Sequence, residues 1–222
     1  MAAGIGLQGA SRTTEGMVAD VLRERIITGA LPTGSRLRQQ QIATELGVST
    51  TPVREAFRTL ATEGLVRIDE HRGVVVRQLT LEECIEIQEL IVAVESDNLL
   101  HSVPRMDERT LDEAEKIVRL MARAGSRRSL LNKDLHLTLA RPSQRKRAIA
   151  LLDELLTLSA LHVPTDALRI ADRPAQSEQE HRALIAAARA GDAEEAAHIL
   201  VEHCQPMLTL LRADLAARSA SA

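Results

Sequence analysis

The sequence predicts a mostly α-helical chain: a winged helix-turn-helix followed by an all-α antiparallel helical bundle. Three observations predict it. Residues 38–65, RQQQIATELGVSTTPVREAFRTLATEGL, place two short helical patterns on either side of Gly47-Val48-Ser49. Two β-rich runs follow, Leu65–Ile68 and Val74–Arg77, with Asp69–Gly73 between them as a turn. From Thr80 onward strand and turn signals nearly vanish.

In chain order, Met17–Thr28 carries apolar residues at Val18, Val21/Leu22 and Ile26, which predicts a first helix ending at Gly29. In the central pair, Ile42, Ala43 and Leu46 share one helical face, and Val53, Ala56, Phe57 and Leu60 share another. Gly47 suits the end of the first of these helices, Ser49, Thr50 or Thr51 can cap the second, and Pro52 is tolerated at a first helical position. The β-rich runs form a hairpin, the wing. Thr80 with Glu83 reads as a capping box opening the bundle. Helices are then expected over about 80–101, 107–124, 126–140, 144–162, 176–190 and 192–217, broken at Val103-Pro104, Gly125, Arg141-Pro142, Pro164, Pro174 and Gly191. Asp192 with Glu195 is a second capping pair. Six such segments with short connections pack naturally as an antiparallel bundle. The expected division is a disordered arm over 1–14, a winged helix-turn-helix domain over 15–79 and a helical domain over 80–222.

Composition narrows the function. Net charge is −3, but residues 1–79 hold ten basic against eight acidic side chains and residues 80–222 eighteen against twenty-three. A mildly basic front and an acidic back assign any polyanion to the front. With no Trp or Tyr and a single Phe, base stacking on single strands or RNA is disfavoured, whereas duplex DNA is not. No apolar run approaches the ~20 residues needed to span a bilayer, and the start lacks the basic n-region of a signal peptide. Cys84 and Cys204 are isolated, which fits two thiols in a reducing cytoplasm rather than a disulfide.

Opposite the apolar stripe of the second central helix lie Thr51, Arg54 and Arg58, spaced to share one exposed side. Arg54 and Arg58 can reach phosphate or guanine edges, and the hydroxyls of Ser49, Thr50 and Thr51 suit phosphate. Arg38 and Gln40, at the start of the preceding helix, and His71 and Arg72, at the wing tip, complete the expected contact set. The structural alternative is that Arg54 pairs with Glu55 or Glu24 and merely decorates its helix.

The motif STTPVREAFRTLATEGLV resembles the signature of GntR-type bacterial transcription regulators, and the remainder is similar to the FadR-like subfamily with its helical (FCD-type) ligand-binding domain. The resemblance covers nearly the whole chain after about residue 15. Thr50 stands where the family usually has Arg, and Gln39 and Gln40 stand where charged residues are commoner, so the fold is expected to be kept and the operator preference to differ.

Histidines form the second constellation. Asn132 and His136 are four apart and share a helix face. His181 is read as opening a helix, and His203 follows 22 residues later, past the turn at Gly191. Comparable runs on either side of that turn allow both imidazoles to lie near one end of an antiparallel pair. Three imidazoles plus a side-chain oxygen form a ligand shell for a divalent transition ion, Zn²⁺ or Ni²⁺ first among them. The resemblance implies the same site, since many relatives carry Asp-x-x-x-His, then His, then His; here Asn132 replaces the Asp, and Asp134 should point elsewhere. His198 is placed off the site, and His101 and His162 near helix ends. The family's effector-binding Arg would fall at Ile91. Ile91, His162 and Arg169 are therefore candidates for the effector pocket, with Arg173 and Arg182 as further carboxylate partners.

These readings converge on a homodimeric transcription regulator, a repressor, binding a pseudo-palindromic operator under control of a small metabolite, a carboxylate on the metal. Two alternatives stand beside it: an unmetallated bundle serving dimerisation, and a metal-dependent enzyme. The last lacks a His-Glu-x-x-His base, a nucleophile elbow or a phosphate loop.

Overall fold

The computed structural model describes residues 13–69, 73–161 and 173–220. The first helix, α1 (Thr14–Ile27), starts three residues before Met17, because Thr13 caps it by accepting from the Gly16 amide at 3.3 Å. It buries Val18, Ala19, Leu22 and Ile26 against α3. The central pair is α2 (Gln39–Leu46) and α3 (Thr50–Thr62). Gly47 ends α2 in the left-handed conformation, φ +66°, which favours glycine. Ser49 occupies the cap position of α3 without a side-chain hydrogen bond, and Pro52 sits third in the helix rather than first. That position is also harmless, since the first turn's amides have no helical acceptor. Gln39 Nε2 instead ties the pair by donating to the Thr50 carbonyl at 2.8 Å.

The wing differs from a simple hairpin. β2 (Val66–Asp69) and β3 (Gly73–Val76) pair antiparallel, and β3 also pairs with β1 (Arg36–Leu37), giving the order β1-β3-β2. A two-residue strand is too short to show alternation in sequence; only its burial pattern, Arg36 out and Leu37 in, betrays it.

The bundle comprises α4 (Leu81–Ser102), α5 (Glu108–Met121), α6 (Arg128–Ala140), α7 (Lys146–Leu161), α8 (Arg173–Arg189) and α9 (Ala193–Ala220). The expected capping box is present: Thr80 Oγ1 accepts from the Glu83 amide, and Glu83 Oε2 accepts from the Thr80 amide at 2.8 Å. α8 starts earlier than expected because Pro174 falls in its first turn, where the missing N–H costs nothing. α4 is the central post, packed against α6, α7 and α9. Its buried stripe is not purely apolar: Ile87, Ile91 and Leu99 share it with Glu95, Asn98 and Ser102. Asn98 Nδ2 donates to the Ala140 carbonyl at 3.0 Å and Ser102 Oγ to that of Leu139, fixing α4 against the end of α6.

The winged helix packs on the bundle in the same chain. Leu161 of α7 joins the core formed by Leu22, Phe57 and Leu60, while Arg77 Nη2 bonds Glu83 Oε1 at 2.6 Å. Both cysteines are buried and neither is in a disulfide. Burial, with Glu83 and Glu82 nearby, pushes the Cys84 thiol up to about 12, so it stays protonated and unreactive.

Replacing Thr80 by Ala removes the accepting half of the capping box. The expected loss is about 1 kcal/mol, seen as a melting temperature lower by roughly 2–4 °C for a chain of this size in calorimetry.

Candidate metal centre and nucleic-acid interface

Three helices deliver the histidines. His136 comes from the buried side of α6, between Leu135 and Leu139; His181 lies in the middle of α8, not at its start; His203 lies on α9. His181 is ten residues before Gly191 and His203 twelve after it. At 1.5 Å per residue these are about 15 and 18 Å from the turn, which puts both rings at one end of the α8–α9 hairpin. One nitrogen from each of the three imidazoles lies within 4.8 Å of the others. His136 and His181 are 2% and 1% exposed. A tetrahedral ion with N ligands at ~2.0–2.1 Å needs nitrogens roughly 3.4 Å apart, so small rotations would close the shell. His198 is exposed on α9 and stands outside the cluster.

Two carboxylates orient the rings, and the sequence reading missed both. His136 Nδ1 is 2.6 Å from Glu95 Oε1, and His203 Nδ1 is 2.6 Å from Glu180 Oε2. With Nδ1 engaged, the Nε2 lone pair of each ring is left for the cluster. Glu95 is fully buried, and its signal was legible: it stands at i+8 in the stripe of apolar residues Ile87 (i), Ile91 (i+4) and Leu99 (i+12) on α4. Glu180 gives no such signal. It follows from α8 and α9 lying side by side, so that the residue next to His181 meets His203.

Electrostatics at His136 have two opposed causes. Desolvation is the largest and disfavours the imidazolium, but the charge of Glu95 and its hydrogen bond together outweigh it, raising the pKa above the ordinary value.

Beside the imidazoles lies a cavity of about 140 Å³ lined by Asn132, His136, His203, Cys204, Ile91 and Arg128 among others. Asn132 thus faces the same space as two of the rings, while Asp134 is exposed. Ile91 lines the cavity, whereas His162 and Arg169 lie outside the described residues. Arg128, not anticipated, donates to the Met121 and Pro174 carbonyls at 3.2 and 3.0 Å and brings a cation to the wall. Arg182 is instead paired with Glu178 at 2.8 Å on the surface.

On the winged helix, Arg38, Gln40, Ser49, Thr51, Arg54 and Arg58 are exposed and Thr50 is half-buried. Arg54 and Arg58 share Glu55, at 3.3 and 3.1 Å. Exposed pairs of this kind contribute ~0–1 kcal/mol, so an incoming phosphate displaces them readily. Glu24, the other expected partner of Arg54, bonds Arg127 at 3.2 Å. His71 and Arg72 lie outside the described residues.

The raised pKa of His136 sets a pH dependence. In chelator, the His136–Glu95 ion pair contributes stability fully present below the unfolded histidine pKa of ~6.5, and lost as pH rises through the raised folded value. Urea unfolding between pH 6 and 9 should show this decline, and Glu95→Gln should flatten it. In the same variant Zn²⁺ affinity, measured by competition with a chromophoric chelator, should fall roughly 10–100-fold.

Residues 14–76 match the family model "Bacterial regulatory proteins, gntR family" and residues 86–206 the FCD domain. The probable D-xylose utilization operon transcriptional repressor of Paenarthrobacter nicotinovorans is 30% identical over 202 residues, covering 86% of this chain and 85% of that protein. The gluconate operon transcriptional repressor of Bacillus licheniformis is 40% identical over 87 residues, 39% of this chain and 35% of its own length. A GntR regulator structure from Rhodococcus sp. RHA1 superimposes with a TM-score of 0.77 at 26% identity, covering 90% of this chain and 97% of that one. Escherichia coli McbR shares the fold, with a TM-score of 0.79 at 21% identity over 91% and 99% of the two chains. With both of its halves matched and a relative aligned along most of its length, the chain belongs to the gntR family of bacterial regulatory proteins, with an FCD domain behind its winged helix.

Proposed function

We propose that the protein is a transcriptional repressor whose operator affinity is set by a small carboxylate held at a divalent metal site in the bundle. The observation that carries the reading is the pairing, in one chain, of an exposed Arg54/Arg58 face with three clustered imidazoles, two of which line a cavity. Two relatives named as operon repressors support the direction of control. In this reading residues 15–79 form the DNA-binding domain and residues 80–222 the sensing and dimerising one.

Each winged helix of a homodimer would lay α3 in a major groove of one half of a pseudo-palindromic operator. Arg54 and Arg58 contact phosphate or guanine; Arg38, Gln40, Ser49, Thr50 and Thr51 fix the register, and His71 and Arg72 extend from the wing. His136, His181 and His203 would hold Zn²⁺ or Ni²⁺, with Asn132 beside them as a neutral fourth donor. An ion so held would take a carboxylate either by displacing the weak Asn132 donor or by expanding beyond four ligands. Arg128 gives that anion a cation to face, and Glu95 and Glu180 hold the rings in the metal-binding tautomer. The charge count favours the scheme, since three neutral imidazoles flanked by two carboxylates balance a doubly charged ion. Control requires that the ligand bind one arrangement of the DNA heads better than the other.

One observation favours a second reading. His136 Nδ1 and Glu95 Oε1 can share a proton with no ion present, which is compatible with an unmetallated bundle serving dimerisation. Metal analysis of protein purified without a nickel column separates the two, since the sensing reading expects about one ion per chain and a melting temperature lowered by chelator.

Arg54→Ala and Arg58→Ala should each weaken binding to a fragment of the upstream region at least tenfold, while leaving the melting temperature within a degree or two. A phosphate contact would also reduce the slope of log affinity against log salt by about 1. Unchanged affinity in both variants would refute the DNA-reading face.

A further inference from the structure

The last turn of α7 has two faces with different neighbours. Leu156, Ser159 and Ala160 line the cavity beside the imidazoles, and Ser159 Oγ accepts from Gln88 Nε2 of α4 at 2.6 Å. Leu161 turns into the winged-helix core, and Leu158, part of the bundle's own core, reaches the winged helix at Gly64. Gly64, left-handed at φ +73° just after α3, lies so close that an added Cβ would stand 3.1 Å from Leu158 Cδ2. Leu161 is itself part of the winged-helix core, with Phe57 and Leu60 of α3. A second link starts beside Arg128 of the cavity wall, where Arg127 bonds Glu24 of α1.

The covalent connection is less suited to carrying a signal. Residues 77–80 are pinned to the first turn of α4 by Arg77–Glu83 and by the capping box. The cavity residues of α4, Gln88 and Ile91, begin about two turns farther along.

We propose that the last turn of α7 is the element that transmits cavity occupancy to the DNA-reading helix. Ser159 and Ala160 sense the occupant, and Leu158 and Leu161 pass the displacement to Gly64 and the core beneath α3. The proposal rests on the reading of the cavity as the ligand site. Its physical basis is close packing: interiors have few voids and low compressibility, so a helical turn pushed from the cavity side must shift what abuts its other side. Linkage makes the effect reciprocal, so anything that locks α3 must also alter the cavity.

Hydrogen exchange on the full chain tests it with two probes, Zn²⁺ alone and a cavity-filling substitution, Ala160→Met, that needs no metal. In the wild type, Zn²⁺ should slow exchange in α8 and α9 and change that of residues 60–64 at least fivefold. Ala160→Met should change residues 60–64 by itself. Leu158→Ala should keep the α8–α9 response to Zn²⁺ and lose both effects on residues 60–64; Leu158→Val, a smaller truncation, should show partial loss and serves if the alanine variant does not fold. Indifference of residues 60–64 to both probes, or responses that survive Leu158→Ala, would overturn the proposal. If Zn²⁺ leaves α8 and α9 unmoved while Ala160→Met still shifts residues 60–64, the metal reading fails and the coupling stands.

Discussion

A carboxylate with no access to solvent sits on the central post of the bundle, and the rest of the structure is arranged around that constraint. Removing Glu95 from water costs several kcal/mol unless it is paired, and His136 at 2.6 Å is the pairing group. The pair forces α4 and α6 into one register, which Asn98 and Ser102 reinforce through the carbonyls of Ala140 and Leu139. That register turns the other face of His136 to His181 and His203. A Leu at position 95 would pack as well or better; the charge therefore points to a role that packing does not supply.

The same economy of placement recurs at Glu180. It neighbours His181 on α8 but serves His203 on α9, so one turn of α8 contributes both a ring to the cluster and the orienting group for another ring. Cluster geometry therefore depends on the α8–α9 hairpin staying in register, which the turn at Gly191 and the packing of Leu184, Ile185 and Leu200 maintain. At the other end, exposure rather than burial does the work. Among the described residues Arg54 and Arg58 pair with the half-exposed carboxylate of Glu55, so the reading face is charged, accessible and easily rearranged.

Helix positions and the division into a winged helix-turn-helix and a bundle were legible in the sequence because they follow from local rules. Apolar spacing places Val53, Ala56, Phe57 and Leu60 on one side of α3 and leaves its arginines outside. Thr80 with Glu83 caps a helix wherever it occurs. The three histidines were legible too, since their spacing about Gly191 and the four-residue step from Asn132 to His136 are helical geometry read along one axis. Helix starts were less so: Pro174 reads as a break, yet a proline in a first turn interrupts nothing.

The amino-acid order alone thus determined which residues form helices, which side of each is apolar, and which imidazoles share a helix end. Only the tertiary structure decided that β1 completes the sheet, that Glu95 and Glu180 orient the rings, that Arg128 enters the cavity wall, and that Leu161 leaves the bundle to join the core under α3. The physical reason is one of range. Helical periodicity and capping are set by neighbours within four or so residues, whereas these contacts join positions 23 to more than 100 apart and depend on the angles and registers at which whole helices pack.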